Sequence, residues 1–522
     1  MSQVFEKRLD AIAAAAPNTL AGGLKGVEKE SLRVDPDGNL AQTPHPRALG
    51  SALTNSFITT DFSEALLEFI TPAFSSTWEA LQFLCDIHQF TYQRLDDEFL
   101  WTASMPCALP GDEDIPLARY GSSNVGTMKT VYRRGLGYRY GRHMQTIAGV
   151  HFNYSLPEHF WPVYRDLLGS TVPMDTFRSI HYLGMVRNFR RLGWLVLYLF
   201  GASPAMCRSF GYGRDLEMPV LNDGTWYEPF GTSLRMSDLG YSNRNQARIH
   251  ISLNDLDEYI RDLSAAISTP EPAFERIGVK VDGLYRQLNA NRLQIENEYY
   301  SPIRPKRVAR SGERPTMALR RGGIEYVEIR SLDINIDDPT GINQNTMRFI
   351  EAFLVYCLLE ESPKLSDADL DEAQVNQAAT AKRGRDPGFR LLRKGGETGL
   401  KTWSAEILEK VLAVAELIDR QENDGSYGQA VRLMQAMVAD PESTPSARML
   451  AELQRENCSF FELASALSEN HRDYFANIAP LLEDRETELE TEAQSSIERQ
   501  REIEATDRLS FDEYLAHYFA GD

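Results

Sequence analysis

The order of polar and apolar residues predicts short β-strands in the first two-thirds of the chain. In residues 146–156 the two classes alternate, so His151 and Asn153 fall on one face of a strand and Val150 and Phe152 on the other. The same pattern predicts five further extended segments. They are residues 26–34, 59–70, 247–254, 294–300 and 324–332.

Helical spacing of apolar residues dominates after about residue 340. We expect helices at residues 4–16, 76–98, 176–201, 256–267, 343–361, 405–420, 427–438, 445–454 and 484–507. Residues 101–145 break any periodicity and predict a long irregular loop with short helices, and the polar residues 364–388 predict a surface connection. Strands mixed with helices, followed by helices alone, indicate an α+β fold with an antiparallel sheet rather than a βαβ series.

Composition narrows the possible partners and the compartment. The chain has 522 residues, 42% of them hydrophobic, and its net charge of -20 argues against nucleic-acid and anionic-membrane partners. The five cysteines are widely spaced, so we expect no disulfide framework, no thiolate zinc site and a reducing compartment. The start of the sequence has no apolar signal core, and the longest apolar run, residues 194–206, is too short to span a bilayer. We therefore expect a cytoplasmic protein.

Carboxylates on predicted strands are the main candidates for chemistry. Glu28 and Glu30 are separated by one residue, so both project from the same face of their strand. Glu68 and Glu328 lie on similar strands, and His151 adds an imidazole. Converging carboxylates repel one another unless a divalent cation is bound, and hard oxygen ligands favour Mg²⁺ or Mn²⁺ over zinc.

An arginine accompanies one of these carboxylates. Glu328 and Arg330 share a strand face, which suits a glutamate that holds a metal bound to phosphate and a guanidinium that holds the phosphate oxygens. Magnesium bound by carboxylates and phosphates together is typical of enzymes that use ATP. Each Glu pair taken alone is also compatible with an ordinary solvent-facing strand, and His151 with a structural histidine.

Two other patterns leave alternatives open. Gln294, Glu296, Glu298 and Tyr300 share a face of their predicted strand, and they either extend the carboxylate site or line its rim. Residues 395–402 resemble a phosphate loop, but Leu400 separates the glycine from Lys401, so the Gly-Lys-Thr core is missing. A bound nucleotide would therefore be held by metals and arginines on a sheet.

Several long runs resemble the proteobacterial glutamate–cysteine ligases (gamma-glutamylcysteine synthetases). The likeness extends over roughly residues 20–345. Its runs are residues 26–34, 58–72, 120–124, 149–153, 198–204, 237–241, 294–298 and 321–326. Lys29 stands where that family commonly has an arginine, and it faces away from the site. The part beyond about residue 365 matches loosely.

The resemblance implies a fold and a reaction. The fold is of the glutamine-synthetase type, a curved antiparallel sheet forming a funnel surrounded by helices. We expect a catalytic core over residues 1–360 and a mainly helical region over residues 361–522 packed on that core. The implied reaction joins L-glutamate to L-cysteine with ATP through an acyl phosphate, which is the first step of glutathione synthesis. A monomer is expected rather than an oligomer.

The resemblance also assigns roles to individual residues. Mg²⁺, which Mn²⁺ can replace, would be held by Glu28, Glu30, Glu68, His151 and Glu328. The transferring phosphoryl group would be steadied by Arg330 and Arg133, and a substrate carboxylate would be gripped by Arg235. The pocket for cysteine would be lined by Phe62, Tyr132, Tyr241 and Tyr300.

Two rival functions remain open at this point. The first is a ligase of the same fold that joins a carboxylate to a different amine. The second is a non-catalytic sensor that binds metal or an amino acid without consuming ATP. A nucleic-acid binder would need a basic stripe. The only short one is Arg304, Lys306, Arg307 and Arg310, and its residues are expected to line an anionic substrate site or to pair with surface acids.

Overall fold

The protein is described here by a computed structural model that covers residues 3–15, 17–211, 216–240, 249–310 and 312–520. Its strands are β1 Leu24–Val34, β2 Ile58–Thr60, β3 Leu66–Ile70, β4 Phe99–Leu100, β5 Val150–Ser155, β6 Ala205–Cys207, β7 Val220–Asn222, β8 Thr225–Tyr227, β9 Lys280–Val281, β10 Leu284–Tyr285, β11 Ile303–Lys306, β12 Tyr326–Leu332, β13 Arg390–Arg393 and β14 Gly396–Gly399. Its helices are α1 Gln3–Ala14, α2 Thr77–Tyr92, α3 Asn124–Tyr140, α4 Phe160–Leu167, α5 Met174–Leu192, α6 Trp194–Phe200, α7 Leu256–Ala266, α8 Pro272–Glu275, α9 Pro315–Gly322, α10 Gln344–Leu359, α11 Asp367–Arg383, α12 Leu400–Glu422, α13 Ser426–Ala439, α14 Pro445–Arg455, α15 Phe460–Asn477, α16 Glu483–Thr506 and α17 Phe511–Ala520.

One antiparallel sheet of seven strands positions the candidate site. The order along it is β11-β12-β5-β1-β3-β2, and β4 pairs with the far end of β1. The register places Glu28 opposite His151 and Glu30 opposite Glu68, so these polar side chains share one face. The predicted α+β class with an antiparallel sheet is confirmed.

The other face of the sheet is apolar and lies against helices. Val27, Phe152 and Ile329, on β1, β5 and β12, are each fully buried. Helix α2 contacts β1 and β3, and α5 contacts β11 and β12, while α10 packs on both helices. The alternation read from the sequence therefore separates a polar face from the core.

A buried ionic cluster ties the first strand to helices late in the chain. Lys25 Nζ lies 3.0 Å from Glu351 Oε2 on α10, and both side chains are fully buried. The hydroxyl of Tyr427 on α13 donates to the same carboxylate oxygen at 2.7 Å. The main apolar cluster also includes residues on both sides of position 360. The domain boundary near that position stays a prediction.

Two predicted strands are wrong, and a third is interrupted. Residues 294–300 contain the 3₁₀ turn Glu296–Glu298, because a local alternation of polar residues mimicked a strand. Residues 249–254 form no strand, and the first two residues of that predicted segment lie outside the described part of the chain. The extended segment at 59–70 is a pair of antiparallel strands, β2 and β3, joined by a tight turn.

Long helices occupy parts of two segments that were expected to be a surface connection and an irregular loop with short helices. The polar residues 364–388 contain α11, which begins with a capping box between Ser366 and Asp369. Residues 101–145 contain α3, a helix of 17 residues. The helix predicted at 176–201 is divided at Gly193 into α5 and α6. Helices α4, α8, α9, α15 and α17 were not predicted.

The structure contains one disulfide bond that the sequence analysis did not predict. Cys107 and Cys207 are bonded, with their Cα atoms 5.5 Å apart and a sequence separation of 100 positions. The fold brings the loop after β4 to the end of β6, a proximity that cysteine spacing could not reveal. Among the described residues, no helix is long and apolar enough to cross a membrane.

Candidate active site

Side chains from three strands converge on the polar face of the sheet. A carboxylate oxygen of Glu28, one of Glu68 and a ring nitrogen of His151 all lie within 4.8 Å of one another. His151 Nδ1 lies 3.0 Å from Glu28 Oε2, and His151 Nε2 lies 4.0 Å from Glu30 Oε1. This grouping, predicted from strand alternation, can hold a metal ion.

Cations surround one side of this group, which we call the cation-rich side: Glu28, His151, Glu328, Lys306 and Arg330. Arg330 Nη1 donates to Glu328 Oε1 at 3.1 Å, and Lys306 Nζ lies 3.5 Å from Glu328 Oε2. Burial would raise the pKa of Glu328, but Lys306 and Arg330 outweigh it and hold that pKa below its usual range. Burial also opposes ionisation of Glu28, and the hydrogen bond with His151 keeps its pKa lowered.

The other side, which we call the acid-rich side, consists of Glu30, Asp61 and Glu68. Burial and the negative charge of Asp61 raise the pKa of Glu30, although the backbone N–H of Gly149 donates to Glu30 Oε2 at 2.7 Å. Burial and the neighbouring carboxylates, Asp61 first among them, raise the pKa of Glu68 well above its usual value. Sequence reasoning missed Asp61, because it lies in the turn between β2 and β3 where alternation stops.

Helix α3 brings Arg133 to the acid-rich side. Its Nε donates to the backbone carbonyl of Asp61, its Nη2 lies 3.5 Å from Asp61 Oδ1, and its guanidinium lies over the ring of Tyr120. Burial first, and then the negative charge of Glu298, raises the pKa of the adjacent Tyr132. Phe62, which follows Asp61, is buried in the main apolar cluster.

Arg235 is held beside strand β12 by a buried network. Its Nη2 donates to the carbonyl of Arg330 at 3.0 Å, and its Nη1 lies 3.8 Å from Asp333 Oδ1. Asp333 Oδ2 accepts from the hydroxyl of Ser203 at 2.6 Å, and Asp333 Oδ1 accepts from Ser233 at 2.9 Å. Sequence reasoning missed Asp333. Its partner Ser203 belongs to residues 198–204, one of the runs that resemble the family, but the sequence of that run does not reveal that Ser203 binds Asp333.

A sulfur atom links Arg235 to one of the predicted pocket residues. Met236 Sδ accepts from Arg235 Nη1 at 3.3 Å and from the hydroxyl of Tyr300 at 3.1 Å. Burial raises the pKa of the Tyr300 hydroxyl above its usual value. Tyr300 and Arg235 are thus close neighbours, as a shared substrate pocket would require. Tyr241 lies outside the described residues.

Glu296 and Glu298 are engaged away from the carboxylate group. Glu298 accepts from Arg139 Nη1 at 2.9 Å and from the hydroxyl of Tyr140 at 2.6 Å, both on α3. Glu296 accepts from Arg314 Nη2 at 2.9 Å, next to α9. Both carboxylates are buried in ion pairs that fix the turn between these helices, so neither extends the carboxylate group.

Comparisons with known proteins agree with this geometry. The family model for glutamate–cysteine ligases matches residues 9–380. The glutamate–cysteine ligase of Alcanivorax borkumensis is 50% identical over 521 residues, covering 99% of each chain. That of Pseudomonas aeruginosa strain UCBPP-PA14 is 47% identical over 100% of this chain and 98% of its own.

A solved structure extends the likeness to three dimensions. The crystal structure of the Francisella tularensis glutamate–cysteine ligase in complex with AMP superposes with a TM-score of 0.90 at 36% identity, over 96% of this chain and 98% of that one. The resemblance predicted from sequence motifs is therefore confirmed over almost the whole length. The chain belongs to the glutamate–cysteine ligase family.

Proposed function

We propose that this chain uses ATP to join the γ-carboxylate of L-glutamate to the amino group of L-cysteine, giving γ-glutamylcysteine, ADP and phosphate. The observation that carries the proposal is the convergence of Glu28, Glu68 and His151 beside the Glu328–Arg330 pair, in a chain of this family. This reaction is the first step of glutathione synthesis.

The reaction needs an activated carboxylate. A carboxylate is a poor electrophile, so the γ-phosphoryl group of ATP is transferred to it first, which gives an acyl phosphate and ADP. The amine of cysteine then attacks the acyl carbon, and inorganic phosphate leaves. Because the substrates supply the reactive groups, the protein contributes positioning and charge neutralisation.

The residues present fit a divalent cation. Glu328 Oε2 is buried and accepts no hydrogen bond from the described residues, although Lys306 Nζ lies 3.5 Å away. Burial and neighbouring acids raise the pKa of Glu68. The proposed ligands of Mg²⁺, or of Mn²⁺ in its place, are Glu28, Glu30, Glu68, His151 and Glu328. When bound, the ion neutralises the charge of the ATP phosphates and of the glutamate carboxylate.

Three arginines of the chain complete the charge balance. Arg330, held by Glu328, and Arg133, held by Asp61, steady the transferring phosphoryl group from opposite sides of the carboxylate group. Arg235, braced by Asp333, binds a substrate carboxylate. A lysine offers no planar fork of donors, so Arg330→Lys is expected to lower turnover.

The pocket for cysteine takes its walls from aromatic residues. Tyr132 on α3 and Tyr300 beside Met236 offer hydroxyl groups and ring faces to a short, weakly polar thiol. Phe62 would support this wall from the core, and Tyr241 would complete it. We further propose that the enzyme acts as a monomer in the cytoplasm, without nucleic-acid or membrane partners, in keeping with its net charge of -20.

A single assay separates this proposal from its rivals. ADP release is measured with glutamate alone, with cysteine alone and with both, and strong release is expected with both. A ligase with another amine substrate would respond to a different member of an amino-acid panel. A sensor would release no ADP under any of these conditions, and either result would contradict the proposal.

A further inference from the structure

The last two helices form an extended element, which we call the C-terminal arm: α16 and α17 with their connection, residues 483–520. The match to the family model ends at residue 380, so the arm lies outside it. The arm crosses the molecule to contact α2, α3 and the short helix Arg47–Leu49. Two of these contacts, with the segment after the short helix Arg47–Leu49 and with α3, fall on the segments that lead to Asp61 and carry Arg133.

The first contact holds the segment before β2. The backbone N–H of Ser51 donates to Ser496 Oγ at 2.9 Å, and the hydroxyl of Thr54 donates to the carbonyl of Ser496 at 2.5 Å. Arg499 Nη2 donates to the carbonyl of Thr54 at 2.8 Å. Strand β2 follows at once and ends at Thr60, so this segment leads to Asp61.

The second contact holds the start of α3. The backbone N–H of Asn124 donates to Asp507 Oδ2 at 2.5 Å, and its side-chain amide donates to Asp507 Oδ1 at 2.6 Å. A carboxylate at this position accepts from unpaired N–H groups and interacts favourably with the helix dipole. Helix α3 carries Tyr132 and Arg133.

The third contact covers the outer face of α3. Leu515 of α17 is buried in a small apolar cluster with Met128 and Val131, and Tyr132 packs against the same cluster. Met128, Val131 and Tyr132 have the spacing of one helix face. This cluster is distinct from the main core, so α17 supplies part of the apolar surface on which α3 rests.

We propose that the C-terminal arm is a clasp that positions Arg133 and Tyr132 over the acid-rich side. Arg133 bridges from α3 to Asp61, and the arm grips both the segment that leads to Asp61 and the helix that carries Arg133. The arm therefore fixes the relative position of the two partners in that bridge. Asp507 is a positioning residue, and the inference rests on the proposed roles of Arg133 and Tyr132 in the ligase reaction.

The first experiment removes the carboxylate of Asp507 from the full-length enzyme. Asp507→Ala is expected to lower kcat and raise KM for cysteine by about tenfold each, because α3 loses its tether. KM for ATP should change less than about twofold, since the proposed metal ligands that hold the bound phosphates lie on the sheet and Arg133 acts on the phosphoryl group only during its transfer. Glu502→Ala, at an exposed position of the same arm, is the matched control and should behave as wild type. Equal changes in kcat, in KM for cysteine and in KM for ATP would overturn the inference.

A double-mutant cycle tests whether the arm acts through Arg133. In an Arg133→Lys background, adding Asp507→Ala is expected to lower kcat by less than about twofold further. A full multiplicative loss would overturn the positioning role and leave the ligase proposal intact. Wild-type turnover of Arg133→Lys alone would instead remove the proposed role of Arg133, and the inference with it. If Asp507→Ala fails to fold, Asp507→Asn, which keeps an acceptor for Asn124, carries the same cycle.

Discussion

The two sides of the carboxylate group place similar ligands in opposite electrostatic surroundings. On the cation-rich side, Lys306 and Arg330 lie within 3.5 Å of Glu328 and hold its pKa low. On the acid-rich side, burial and acidic neighbours raise the pKa values of Glu30 and Glu68. The surroundings therefore favour the charged carboxylate on the cation-rich side, whereas on the acid-rich side burial and acidic neighbours oppose ionisation, and a bound divalent cation would favour it.

The largest expected effect is on the cation-rich side. Glu328→Gln should lower turnover by at least about 1000-fold, because it removes a proposed metal ligand and the partner of Arg330. The variant should remain folded by circular dichroism but less stable, since Lys306 and Arg330 lose their counter-charge. ADP release at limiting magnesium measures the first effect. Glu325→Gln, on a half-exposed carboxylate nearby, is the control. Turnover near wild type would contradict the assignment.

The second-largest expected effect is on substrate binding, and it comes from Gly149, which lies between the acid-rich side and Arg235. A Cβ on Gly149 would lie 2.1 Å from Arg235 Nη2, so Gly149→Ala must displace that guanidinium. Gly149→Ala should raise KM by about 100-fold for the amino acid whose carboxylate is bound by Arg235, because the displaced guanidinium no longer aligns with that carboxylate. Gly425→Ala, where the added carbon meets open space, is the control. Unchanged KM values for both amino acids would exclude Arg235 from substrate binding.

A smaller effect is expected on thermal stability, and it should have opposite signs for variants on the two sides of the carboxylate group. Glu68→Gln removes a crowded carboxylate, so without metal it should raise the midpoint of thermal unfolding by about 2–5 °C. Glu328→Gln should lower the midpoint, for the reason given above. Saturating magnesium should abolish the gain in Glu68→Gln, because wild-type Glu68 then has a cationic partner. The same sign of shift in both variants would show that the two sides do not differ.

The subtlest effect is on the pH dependence of stability. The folded pKa of Glu68 is raised, so above its unfolded pKa, about 4.5, the unfolded chain loses this proton while the folded protein keeps it. This group therefore lowers stability as pH rises from about 4.5 through its folded pKa, provided that metal is absent. Urea unfolding from pH 4.5 to 8 should show a downward slope that Glu68→Gln reduces and magnesium removes. A slope that persists in Glu68→Gln would assign it to another group.

Strand alternation predicted much of the site because it is a local property. Glu28, Glu30, His151 and Glu328 follow a period of two, so their shared face could be read from neighbours in sequence. The same rule failed at residues 294–300, where alternating acids serve ion pairs around a 3₁₀ turn. Periodicity cannot distinguish these cases, since both place polar residues two apart.

The missed features depend on contacts between distant segments. Asp333 acquires its role from Arg235, 98 positions earlier, and the disulfide joins cysteines 100 residues apart. Asp61 lies in a turn that has no periodicity. The helix α11 could have been found, because Ser366 and Asp369 have the spacing of a capping box in front of a helix. The proximity of Arg235 to Asp333, and of Cys107 to Cys207, follows from the topology of the fold rather than from a local sequence pattern.

The buried pair of Lys25 and Glu351 affects how the protein is made. During synthesis, the first strand leaves the ribosome more than 300 residues before its counter-ion, so Lys25 cannot be enclosed without a large desolvation cost until α10 has been translated. Glu328 is also contributed late, by a strand that lies beside β5 in the sheet. A nascent chain that stops between residues 332 and 351 therefore has every strand of the central sheet but lacks the counter-ion of Lys25, so we expect the core around Lys25 to close only after α10 has been made.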